Sequence, residues 1–203
     1  MTRPAADWAS GERLLGQAIG YALENVAAIR PDLLATPTPC RGWDLRMLLW
    51  HSCESMAALR EGLSAGRVGP PLSAGCGAGN PVATYTVSAL RLLDCLGNPA
   101  QPDVRIGGLA LPRSTLAAAG ALEVAVHGWD VAQACGVWRP VPVVLAVELL
   151  MLAPLLVPSA GRAPLFGSPV RVGRDASPSE RLTAFLGRVT AVPPDLGSAI
   201  TLL

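Results

Sequence analysis

The chain contains no lysine: its 16 basic residues are all arginine, set singly from Arg3 to Arg188 against 15 acidic residues. A balanced chain with no basic arm or patch lacks the electrostatic footprint of a nucleic-acid binder. It also lacks a clean apolar run of bilayer length, since the longest, residues 141–157, is broken by Pro142, Glu148 and Pro154. That run reads as a buried helix, and no membrane partner is expected. Cysteine pairs at metal-finger or redox spacing are missing too. The five cysteines, Cys40, Cys53, Cys76, Cys95 and Cys135, are odd in number and irregularly placed, and no apolar core of signal-peptide length precedes them. Free thiols in a reducing cytoplasm are the expectation. Histidine is scarcer still, with two in 203 residues, so each histidine can be weighed singly.

What is present is apolar and helical. Half of the chain is hydrophobic, enough to bury a sizeable core, and length favours one structural domain. The expected fold class is mainly all-α. Helical spacing predicts helices over residues 11–28, with Ser10 as a cap, over 44–63, with Asp44 as N-cap, over 82–96, over 114–135 and over 143–156. A stiff, extended proline-rich link, Thr36 to Gly42, precedes the second helix. Residues 103–111 read equally as strand or loop. Residues 1–157 form the expected body and 158–203 a short extension packed on it, with a short helix at 178–186 and an edge strand at Val170–Val172. The last residues, 189–203, read as a tail that packs or frays.

Residues 64–81 are poor in large apolar side chains and read as a loop, either a linker or a lid. The Gly75-Cys76-Gly77-Ala78-Gly79 stretch is no phosphate cradle, because no strand precedes it and no Gly-Lys-Ser/Thr follows.

Both histidines fall where a metal needs them. Glu123 and His127 stand four apart in a predicted helix and leave the same face one turn from each other. That helix is apolar on most sides, so the pair points inward, where a carboxylate requires a partner or a metal. With His51 from another helix, two imidazoles and one carboxylate make the open three-ligand set of catalytic zinc sites. The same donors suit Fe, Ni or Mn. Asp130 lies on the same face, placed to orient a ligand, to accept a proton or to bond a nearby loop. Trp43 and Trp129 read as packing where the helices meet the site or as surfaces for a substrate. Cys40, just before the second helix, reads as a structural thiol or as a nucleophile activated by the helix dipole.

These residues resemble a family. Thr38-Pro39-Cys40-Arg41-Gly42-Trp43-Asp44 with Leu48 and His51, and Glu123-x-x-x-His127-Gly128-Trp129-Asp130-Val131-Ala132 with Gly136, are similar to the two signatures of the mycothiol-dependent maleylpyruvate isomerase N-terminal domain family, a branch of the DinB-like metalloenzyme superfamily. Phe166-Gly167, Asp175-Ala176 and the segment Arg181 to Arg188 resemble the tail of its actinobacterial subfamily, a host type that the lysine-free composition suits. The resemblance implies a DinB-like four-helix bundle, with a short C-terminal extension and room for a small strand pair, holding a divalent metal, usually zinc, on His51, Glu123 and His127. It also implies mycothiol as cosubstrate and Cys40 as part of a turn. The expected activity is activation of that thiol, or of water, for isomerisation or S-transfer on a small electrophilic metabolite. A thiol-independent hydrolase, lyase or cyclase and a non-catalytic metal-binding or dimerisation module stay open, as does pairing into a homodimer.

Overall fold

The computed structural model describes residues 6–70, 79–97, 101–157, 162 and 166–188, with side chains from residue 11 onward. Helix α1 (Ala6–Val26) starts ahead of Ser10, which therefore lies inside the helix instead of capping it. Alanines at 6 and 9 favour this extra turn. A short 3-10 helix at Pro31–Ala35 follows. The proline-rich link then folds back on itself. Pro37 bridges to Asp44, the Thr38 amide donates to the Trp43 carbonyl at 3.0 Å, and Gly42 makes the reversal at φ +83°.

Helix α2 (Leu45–Ala65) begins where Asp44 accepts a hydrogen bond from the Met47 amide at 2.8 Å, the expected N-cap. It ends at Gly66, whose φ of +66° turns the chain into a two-residue strand, β1 (Arg67–Val68). The expected loop at 64–81 thus opens with packed structure; residues 71–78, with Cys76 and most of the predicted lid, lie outside the described residues. Helix α3 (Pro81–Leu93) is capped by Asn80.

Residues 103–112 resolve as a hairpin of β2 (Asp103–Ile106) and β3 (Leu109–Pro112), turning at Gly107. Strand β1 adds to β2 in parallel, giving a three-stranded sheet. The strands sit inside the body of the chain. The expected edge strand at Val170–Val172 is not formed; the Val170 amide instead donates to the Ala184 carbonyl at 2.9 Å, at the end of the last helix.

Helix α4 (Arg113–Ala134) is buried along nearly its whole length and completes the bundle with α1, α2 and α3. It lies against α1 at unusually short range: a Cβ on Gly128 would come 3.0 Å from Ala22 Cα, and Asn25 Nδ2 donates to the Gly128 carbonyl at 3.0 Å. Around this contact the core gathers Leu15, Ile19, Leu48, Leu49, Met56, Tyr85, Leu92 and Trp129. A buried ion pair ties the far end, with Arg113 Nε donating to Glu12 Oε1 at 2.6 Å and its Nη1 to the Leu63 carbonyl.

Helices α5 (Val143–Leu156) and α6 (Pro178–Phe185) pack against each other, and Ser179 Oγ accepts from the Val141 amide at 2.9 Å. Ser177 and Glu180 close a capping box at the start of α6. None of the helices among the described residues is long and apolar enough to cross a membrane. The tail at 189–203 lies outside the described residues.

Candidate metal centre

Helices α2 and α4 bring the two histidines and the glutamate together. His51 projects from the second turn of α2, beyond the Asp44 cap, and Glu123 and His127 project from one face of α4. The three donor atoms lie within 4.8 Å of one another. Glu123 Oε1 is the focus: it lies 3.0 Å from His51 Nε2, 3.3 Å from His127 Nε2 and 3.1 Å from Ser55 Oγ, which donates to it. The two imidazole rings stand edge to face with centroids 5.2 Å apart.

Burial grades across the cluster. The His51 and Glu123 side chains are 36% and 31% exposed, that of His127 is 10% exposed and that of Asp130 is fully buried. One side of the centre therefore meets solvent and the other is braced by protein. The bracing is polar. Asp130 Oδ2 lies 3.1 Å from His127 Nδ1, and Arg188 clasps the same carboxylate, with Nη2 donating to Oδ2 at 3.0 Å and Nε to Oδ1 at 3.4 Å. Cys40 Sγ donates to Asp130 Oδ2 at 3.2 Å and lies 3.6 Å from Arg188 Nη2.

Charge follows from this wiring. Burial alone would raise the Glu123 carboxyl, but hydrogen bonds from His127 and His51 outweigh it and hold the group well below the usual carboxylate range. Burial would lower His127; its bonds to Asp130, Cys40 and Glu123 carry it well above its ordinary value instead. Asp130, opposed by desolvation, is kept ionised by His127 and Arg188. Without a metal, these bonds favour the protonated form of His127 between the two carboxylates.

The donor chemistry fits a divalent metal. Both Nε2 atoms converge on one carboxylate oxygen, and Asp130 takes the proton-bearing nitrogen of His127, which leaves Nε2 as the ligand atom. Cys40, His127 and Asp130 also lie within ligand distance of one another. There, however, the Arg188 guanidinium already supplies the positive charge, so that second group is a brace and not a competing cation site.

The remaining expected residues are divided. Trp43, partly buried, lays its ring edge-on to His51 with centroids 4.7 Å apart and so walls the centre. Trp129 is 2% exposed and packs in the core. Cys40 faces the Asp130 brace from a turn. Arg188 and Ser55 were not singled out from sequence. Gly187, at φ +81°, ends α6 and turns Arg188 back toward α4, and a Cβ there would meet Gly167 Cα at 2.6 Å. The signal available was the Gly187-Arg188 pair itself, which reads as a helix stop.

Comparison with known proteins gives a family match. The family model described as mycothiol maleylpyruvate isomerase N-terminal domain matches residues 15–132, which hold all three donor residues. Two uncharacterized proteins, from two strains of Mycobacterium tuberculosis, are each 27% identical over 174 residues, covering 80% of this chain and 89% of theirs. No solved structure gives a significant match.

Proposed function

The chain belongs to the mycothiol maleylpyruvate isomerase N-terminal domain family, and from that premise we propose that it is a metal-dependent enzyme that activates a low-molecular-weight thiol, of the mycothiol kind, for isomerisation or S-transfer on a small electrophilic metabolite. The observation that carries the reading is the convergence of His51 Nε2 and His127 Nε2 on Glu123 Oε1, open to solvent on one side and braced by Asp130 on the other. His51, Glu123 and His127 would hold the metal, most simply Zn²⁺. With two neutral ligands and one carboxylate such a metal would keep net positive charge and would lower the pKa of a bound thiol or water.

The chain's own residues do the rest. Asp130 fixes the His127 tautomer, and Arg188 keeps Asp130 ionised in a buried position. Ser55 orients Glu123 through the oxygen shared with the histidines. Trp43 gives the open side one apolar wall, which favours an uncharged or planar substrate portion beside His51.

Spectroscopy on the cobalt-substituted protein tests the thiol assignment. Added mycothiol is expected to produce a thiolate-to-cobalt charge-transfer band that is absent in His51→Ala. A fully loaded protein whose spectrum does not respond to the thiol contradicts the proposal and leaves water as the activated species.

A further inference from the structure

The sequence of α5 asks to be buried on every side, and one chain buries half of it. A helix that is apolar all round belongs in an interior. Leu145, Ala146, Leu149 and Ala153 are indeed packed inward. The opposite face carries Val143, Val144, Val147, Met151 and Leu155, of which Met151 is 67% and Leu155 81% exposed. Positions 144, 147, 151 and 155 follow helical spacing, so they form one stripe along the helix and not scattered contacts. The one ionisable side chain on α5, Glu148, is already bound by Arg13 at 2.5 Å, which leaves the stripe with no unpaired charge.

That neutrality restricts the occupant. A covering surface must be apolar and uncharged over about 21 Å, the length of a 14-residue helix. Other exposed large apolar side chains among the described residues neighbour charged residues along the chain: Met47 by Arg46, Val87, Leu90 and Leu93 by Arg91 and Asp94, Ile106 and Leu109 by Arg105, Trp138 by Arg139 and Val172 by Arg171. Among the described residues, the surface that meets the requirement is α5 itself. We propose that two copies of this chain associate through α5, stripe against stripe about a two-fold axis, so that Val147 of each copy meets Met151 of the other. Such a pairing is isologous and needs no charge complementarity. Two crossed helices with their flanks bury on the order of 1,000 Å², the low end for a specific interface. The inference does not depend on the metal or on the thiol.

Sedimentation velocity on the full chain across a concentration series tests it. The expected result is a monomer–dimer equilibrium that Met151→Glu and Leu155→Glu each weaken by about 100-fold, because the symmetry faces each new carboxylate with its own copy or with an apolar surface. Leu109→Glu, on the hairpin, should leave the equilibrium unchanged. All three positions are exposed, and circular dichroism with a thermal melt establishes that each variant is folded. A chain that stays monomeric at every soluble concentration overturns the proposal, whether residues 189–203 or a different protein covers the stripe. So does a dimer that survives both α5 substitutions.

Discussion

Asp130 grips His127 from behind: its Oδ2 lies 3.1 Å from Nδ1, while Nε2 on the far side of the ring lies 3.3 Å from Glu123. The ring is therefore held at both ends by carboxylates of unequal exposure, one sealed in the protein and one reached by solvent.

Removing the sealed carboxylate should loosen the metal without abolishing its site. Asp130→Asn keeps the shape but offers His127 a weaker partner, so metal affinity should fall by about 10–100-fold. Competition against a chromophoric chelator measures it, and unchanged affinity would show that Asp130 does not orient the ligand.

Arg188 should matter for folding more than its place near the end of α6 suggests. Arg188→Met leaves Asp130, fully buried, with His127 as its remaining proton-bearing partner, a change that should cost up to about 3–5 kcal/mol. Urea denaturation reads this directly, and Arg188→Lys should recover part of the loss because one amino group replaces a two-pronged clasp.

Two helical glycines should respond to alanine with opposite signs. Gly128→Ala puts a methyl 3.0 Å from Ala22 Cα and should destabilise by about 1–3 kcal/mol. Gly20→Ala, on the exposed side of α1 with nothing within 4 Å of the new carbon, should stabilise by about 0.5–1 kcal/mol. Thermal melts of the two variants in parallel check the pair.

The metal-free protein should have a stability optimum in pH, and metal should reshape it. His127 is raised above its ordinary 6.5, so its contribution is complete below that value and is lost as pH rises through the folded-state value. Glu123 and Asp130 are lowered from 4.5 and 3.8, so theirs is complete above those values and is lost as pH falls. Stability without metal should therefore peak between about 4.5 and 6.5. Metal requires His127 without its Nε2 proton, so added Zn²⁺ should stabilise more strongly as pH rises. Melting temperatures against pH, with and without Zn²⁺, give both curves.

The helices and the Glu123–His127 pair were legible in the sequence because each depends on local spacing, whereas His51 was added from another helix by the scarcity of histidine and the motif around it. Leu45, Leu48, Leu49, Cys53 and Met56 mark the buried side of α2 by period alone, and Glu123 with His127 needs only the four-residue repeat of α4. What was not legible depends on distant packing. Arg188 becomes part of the centre because α6 docks on α5 and Gly187 reverses the chain, neither of which leaves a periodic mark. Strand β1, two residues long, exists because Gly66 turns Arg67 toward Arg105, a pairing across 38 residues of chain that no local pattern encodes. Ser10 was misplaced as a cap because alanines ahead of it extend the helix.

Metal content of the purified protein tests the central claim most directly. Elemental analysis should find one divalent metal per chain in the wild-type protein and almost none in His51→Ala or His127→Ala, each folded by circular dichroism. A wild-type protein that neither carries nor takes up a stoichiometric metal, or variants that retain it, would contradict the account.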